Sequence, residues 1–186
     1  LLVPAVLVAV VVLLAALGWQ VAQFEPRYSD TGVYFTYVLQ SVDGGKTAFR
    51  DVKIEYPPAA YWAMALPRMV SGHKITPETA EDEQFVNRSY AIYATAYRLL
   101  MVLLELIALV LMLDIIRRRS PAALVWAAWT YVICSTLLVH VVLDRLDMGL
   151  WFLIAAWAWL WCRSLESTEN ETQGKFAYLA RGLSIS

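Results

Sequence analysis

Four long apolar runs limit what this chain can become. Leu1 to Gly18 is unbroken apolar sequence ending at Trp19 and Gln20, and Tyr90–Ile116, Pro121–Leu143 and Met148–Cys162 follow it. A hydrocarbon core about 30 Å thick takes roughly 20 apolar residues of helix. Inside lipid the backbone must satisfy its own hydrogen bonds, so a run that crosses has to be helical. The sequence therefore predicts an all-α, polytopic membrane protein. Its spans are expected at about 1–22, 90–116, 121–143 and 148–162, in a single membrane domain over 1–186. A secretory signal peptide is the rival reading of the first run. No charged segment precedes it and no clean small-x-small cleavage site follows, so a retained helix is expected. The chain opens inside an apolar run and closes on Leu183-Ser184-Ile185-Ser186, which reads as the start of another. The expectation is an N-terminal fragment of a longer protein.

Composition agrees. The chain is 60% hydrophobic, where soluble domains are usually less than half apolar. Eight Trp and ten Tyr suit a protein that places amphipathic rings at two membrane interfaces. Fifteen basic residues face 16 acidic ones, so the basic surplus that a nucleic-acid partner would require is missing. Cys134 and Cys162 both lie in apolar runs and offer neither a disulfide framework nor a metal-ligand spacing.

Between the first two runs lies a polar loop of about residues 23–89, long enough to suggest function. Thr31–Leu39 is rich in aromatics and reads as a short interfacial helix. Val42-Asp43-Gly44-Gly45-Lys46 reads as a turn. Glu55-Tyr56-Pro57-Pro58 is a stiff extended stop. Ala59–Val70 reads as an amphipathic helix with Tyr61 and Trp62 as interface anchors. Thr76-Pro77-Glu78 has the form of a helix start. Arg117-Arg118-Arg119 and Arg163 would share one side, the cytoplasmic one by the bias of short basic loops. That puts the long loop and the Asp144-Arg145-Leu146-Asp147 corner together on the outer face.

Several residues are candidates for chemistry. Asp30 falls where the chain leaves the first apolar run, and partial desolvation there would make its carboxylate a better base. On position alone, an N-cap for the helix starting at Thr31 is the simpler reading, and the two roles are compatible. Arg50 and Lys53 offer charge to a phosphate, beside Asp51, Glu55 and Tyr56, and the alternative is an ordinary basic-acidic loop with a Pro-Pro helix start. Arg145 and Asp147 form either a salt-bridged turn or a substrate contact. Glu105 sits mid-run, with Arg98 two turns earlier on roughly the same face. A charge at that depth should face the protein interior with a partner, and an interhelical hydrogen bond is preferred to a proton path. No metal-ligand cluster or cofactor motif is evident, although acids beyond this stretch leave a divalent metal open.

In order along the chain, these features resemble the opening of the GT-C membrane glycosyltransferases. They are Asp30 with Tyr34, the Gly44-Gly45 turn, Phe49-Arg50-Asp51, Glu55-Tyr56-Pro57-Pro58, Tyr97-Arg98 with Glu105, and the Asp144-Arg145-Leu146-Asp147 corner. The closest branch is the bacterial family 87 enzymes, which include polyprenol-phosphate-mannose-dependent mannosyltransferases. Glu105, where Asp is commoner, and Ala48-Phe49, where Tyr is usual, depart from the pattern. The resemblance implies an integral protein of a bacterial plasma membrane with its first loop outside. It implies a polyprenyl-phosphate-linked sugar as donor, a lipid or glycan as acceptor, and membrane lipids as surroundings. Asp30 would be the general base of an inverting transfer, with Tyr34, Arg50, Asp51, Lys53, Glu55, Tyr56, Arg145 and Asp147 around the substrate. The alternative is a non-catalytic transporter or scaffold segment in which Arg98 and Glu105 are the working pair.

Overall fold

A computed structural model describes residues 2–22, 30–71, 75–76, 79, 81–138, 142–143 and 149–166. Those residues are helical throughout their regular elements, and the only strand-like pairing among them is an isolated bridge between Ala48 and Val52. Helix α1 (Leu2–Ala22) packs chiefly on α5 (Leu124–Leu137), which a short 3-10 turn, Pro121–Ala123, introduces. Helix α4 (Glu83–Arg119) is the hub. It touches α1, α5 and both loop helices, α2 (Thr31–Val38) and α3 (Pro58–Ser71). A sixth helix, α6, occupies 149–166.

Among the described residues, α4 is the one helix long and apolar enough to cross a membrane, and Val6–Trp19 and Pro121–Leu137 are shorter apolar stretches. Of the expected third run to Leu143, residues 139–141 lie outside the described residues. Its helix stops at Leu137, Leu138 leaves helical geometry, and helix is described again only at 142–143.

Local chemistry sets the boundaries. α4 starts seven residues before the expected apolar run, because Asp82 accepts hydrogen bonds from Gln84 N (3.0 Å) and Phe85 N (3.2 Å). This pattern satisfies the first N–H groups of a helix. Thr76 Oγ1 accepts from Thr79 N at 3.4 Å, while Pro77 and Glu78 of the expected helix start lie outside the described residues. α3 begins on Pro58, where a missing N–H costs nothing, and the Pro57 carbonyl accepts from Ala60 N at 2.9 Å. The turn expected over Val42-Asp43-Gly44-Gly45-Lys46 is corrected at its start: α2 runs on through a π-helical turn, Leu39–Asp43, and the chain leaves helix at Gly44-Gly45. Gly44 is required there, since a Cβ would lie 2.7 Å from the Gln40 carbonyl oxygen, and Gly45 holds φ +68°.

The core runs along α4. Tyr93, Tyr97 and Met101 are fully buried against Tyr34 and Val38 of α2, Met64 of α3, and Leu13 and Leu17 of α1. At the other end of α4, Asp114 accepts from Arg117 (2.9 Å), Arg118 (2.9 Å) and the Trp159 indole (3.0 Å). Arg118 and Arg163 converge on Glu166 at 3.5 and 3.8 Å. The basic residues expected to share a side do meet at one end of the bundle.

Candidate functional site

A cavity of about 520 Å³ opens between the head of α2, the head of α3 and the start of α6. Asp30, Tyr34 and Tyr56 supply its polar groups, while Pro57, Ala59, Ala60 and Ala63 form one wall and Leu150, Phe152 and Leu153 the other. Three of the expected site residues, 26 positions apart at their extremes, thus come together.

Asp30 occupies the N-cap position of α2, yet its side chain makes no capping hydrogen bond. Its backbone carbonyl, in helical geometry, accepts from Val33 N (3.0 Å) and Tyr34 N (3.2 Å). The helix start is held instead by Thr31, buried, whose Oγ1 lies 3.0 Å from the Tyr90 hydroxyl of α4. The simpler explanation of Asp30 as a side-chain cap therefore does not describe this fold. The carboxyl is half-buried on the cavity wall.

Tyr34 is 1% exposed and anchors an aromatic chain. Its ring meets Tyr56 edge-on (5.4 Å, 83°) and Tyr97 at a tilt (5.5 Å), and Tyr97 stacks on Tyr93 (6.2 Å, 28°). Tyr37 completes the setting of Tyr56 at 6.4 Å. Edge-to-face pairs of this kind add about 0.5–1.5 kcal/mol beyond area burial. They hold Tyr56, at the mouth, against a rigid backing that belongs to α4.

Arg50, Asp51, Lys53 and Glu55 do not line this cavity. Phe49 takes φ +68°, and the chain doubles back so that Phe49 N donates to Val52 O at 3.1 Å. Arg50 then pairs with its neighbour, Nε to Asp51 Oδ1 and Nη2 to Oδ2, both at 3.0 Å. Asp51 Oδ2 also accepts from Thr47 N at 2.9 Å. The Arg50 guanidinium, with help from Thr47, holds the Asp51 carboxyl below the usual carboxylate range, and Asp51 in turn raises Arg50. The Arg50 side chain is 76% exposed, so this is a solvated loop clasp. Arg145 and Asp147 lie outside the described residues.

Arg98 and Glu105 are both buried in α4. The Glu105 carboxyl accepts a hydrogen bond from Ser135 Oγ of α5. One turn away Tyr131 donates to the Glu105 carbonyl (3.4 Å) and accepts from the Trp151 indole of α6 (3.1 Å). This is the interhelical hydrogen bond expected of Glu105, with its partner on another helix.

A feature the sequence did not announce is an ion pair between Arg68 of α3 and Asp43 of the π turn, with side chains 1% and 4% exposed. Asp43 also accepts from Ile75 N (3.0 Å), and the Arg68 guanidinium lies over the Phe35 ring (5.7 Å). The alanines of α3 were equally unmarked; their small size at 59, 60 and 63 was the available signal. Among the described residues, no group of three or more His, Cys, Asp or Glu could hold a metal ion.

Comparison with known proteins returns no match: none to a family model, none to a curated protein and none to a solved structure.

Proposed function

We propose that this chain belongs to a polytopic membrane glycosyltransferase of the GT-C type. α1, α4, α5 and α6 would span the bilayer, and the loop helices would face outward. The observation that carries the reading is the setting of Asp30: a carboxyl at a helix start that does not cap it, on the wall of a largely apolar cavity beside two tyrosines. The apolar walls suit the chain of a polyprenyl phosphate, and the tyrosines suit a sugar. Asp30 takes the proton of an acceptor hydroxyl as its oxygen attacks the anomeric carbon. The bond from that carbon to the phosphate oxygen breaks, and polyprenyl phosphate leaves with the electron pair, inverting the centre. Walls that exclude water suppress hydrolysis of the donor. The sugar would be mannose or another hexose or pentose, and the acceptor a lipid or glycan.

The test is sugar transfer by membranes carrying the full-length protein or its Asp30→Asn variant, at matched levels, from a panel of polyprenyl-phosphate donors. A positioned base contributes about 10²–10⁴-fold, so the variant should lose nearly all transfer. Equal transfer would remove Asp30 from the mechanism and turn attention to Asp51, Glu55 and Asp147. The transporter or scaffold alternative predicts instead that Glu105→Gln is the damaging change. The engagement of Glu105 by Ser135 favours a packing role.

A further inference from the structure

Helix α3 has three faces. Met64, Ala65 and Arg68 are buried toward the rest of the protein, and Ala59, Ala60 and Ala63 line the cavity. The third face carries Trp62, Leu66, Met69 and Val70, exposed by 64, 48, 59 and 76%. Their i, i+4, i+7, i+8 spacing makes one continuous stripe along the helix. Four large apolar side chains in one exposed row mark a surface that something apolar covers.

The height of α3 along α4 says what covers it. α4 has 37 residues, about 55 Å at 1.5 Å per residue, well beyond the roughly 30 Å of a hydrocarbon core. Its lower charged end starts at Asp114, which holds Arg117 and Arg118. About 20 residues upward, the length that crosses the core, is Ala94. The neighbouring Tyr93 donates its hydroxyl to the Met64 carbonyl in the middle of α3, at 3.1 Å. Helical side chains lean toward the N-terminus, so α3 lies just outside that boundary, where headgroups meet acyl chains. Below it, α4 presents its own exposed apolar row, Leu99, Leu103, Ile107 and Val110.

We infer that α3 lies in the membrane plane with its Trp62–Leu66–Met69–Val70 stripe sunk into the acyl-chain boundary of the leaflet beside the first loop. Trp62 is an anchor of this surface. Tyr61, expected to be one, is not: its hydroxyl donates inward to Ser41 Oγ at 2.9 Å. The inference rests on the reading of α4 as a membrane span and is independent of glycosyl transfer.

The test is nitroxide depth measurement on the full-length chain in phosphatidylcholine–phosphatidylglycerol vesicles. In a Cys134→Ser, Cys162→Ser background, single labels go on Trp62→Cys, Leu66→Cys, Met69→Cys and Val70→Cys. Leu103→Cys on α4 and Lys53→Cys in the exposed loop are references. The stripe labels should collide with dissolved oxygen in preference to a water-soluble nickel chelate, at depths of roughly 5–10 Å. Leu103 should read deeper, and Lys53 should prefer the chelate. Because four positions report one surface, a variant lost from membranes is replaced by its neighbour. Stripe labels that behave like Lys53 overturn the inference, as do labels shielded from both reagents, which would mean a protein partner. If Leu103 also prefers the chelate, the span reading of α4 falls with it.

Discussion

Arg68 and Asp43, 25 residues apart, form an ion pair that joins α3 to the π turn and is almost wholly removed from solvent. Breaking a buried pair from one side leaves an uncompensated charge and costs about 3–5 kcal/mol. Arg68→Met or Asp43→Leu alone should therefore lower the unfolding temperature in detergent sharply. The double variant should recover much of the loss, because well-packed apolar replacements of both partners are often neutral. A double variant as unstable as the worse single would sink this account.

The two glycines after the π turn should respond differently. Gly44→Ala drives a Cβ into the Gln40 carbonyl, so the π turn that presents Asp43 must shift. Gly45→Ala meets open space but keeps φ +68°, a conformation costing a non-glycine residue about 1–2 kcal/mol. Only Gly44→Ala should also weaken the effect of Arg68→Met, which thermal unfolding of the combined variants would measure.

Acid should loosen the Thr47–Val52 loop before the bundle. Asp51 titrates below the ordinary carboxylate range in the folded protein, through Arg50 first and Thr47 second. Its contribution to loop order is thus complete above the ordinary carboxylate range and is lost as pH falls through the lowered value. Amide exchange of Thr47 against pH should show this, and Asp51→Asn should flatten the profile. An unchanged profile in the variant would mean the clasp does not order the loop.

Glu105 serves packing if its bond to Ser135 is what matters. Interhelical hydrogen bonds in membranes average about 0.6 kcal/mol and reach about 1.7. Ser135→Ala should cost an amount in that range. Glu105→Gln, which keeps an acceptor oxygen, should cost less than Glu105→Leu. Equal losses for Gln and Leu in thermal unfolding would contradict this.

The helices were legible because apolar periodicity and end signals are local. The Pro57-Pro58 start is readable from a few adjacent residues. Asp82 lies upstream of the apolar run, and its capping bonds to Gln84 and Phe85 start the helix in polar sequence where no apolar periodicity marks it. Asp43 departs from its expected turn because a partner distant in sequence holds it. Beside Gly44-Gly45 it has the chemistry of a turn, and the arginine that draws it inward lies on another helix. At the cavity, order along the chain groups Tyr34 and Tyr56 with Asp30 and equally groups Arg50, Asp51, Lys53 and Glu55 with it, and the fold brings only the first three together. The reversal at Phe49, a positive φ on a residue that rarely adopts one, turns that pair to solvent. No pattern of residue types announces such a reversal.

The aromatic chain from Tyr37 through Tyr56, Tyr34, Tyr97 and Tyr93 to Phe35 and Tyr90, with successive rings 5.2–6.4 Å apart, has an optical consequence. Tyrosines locked in a fixed asymmetric array give near-ultraviolet circular dichroism, a signal that disappears when side-chain packing is lost while helices persist. The packing that backs Tyr34 and Tyr56 is therefore its own chromophore. Its tyrosine band, read beside that of the eight Trp, reports whether α2 is seated on α4 before a donor or acceptor has been added.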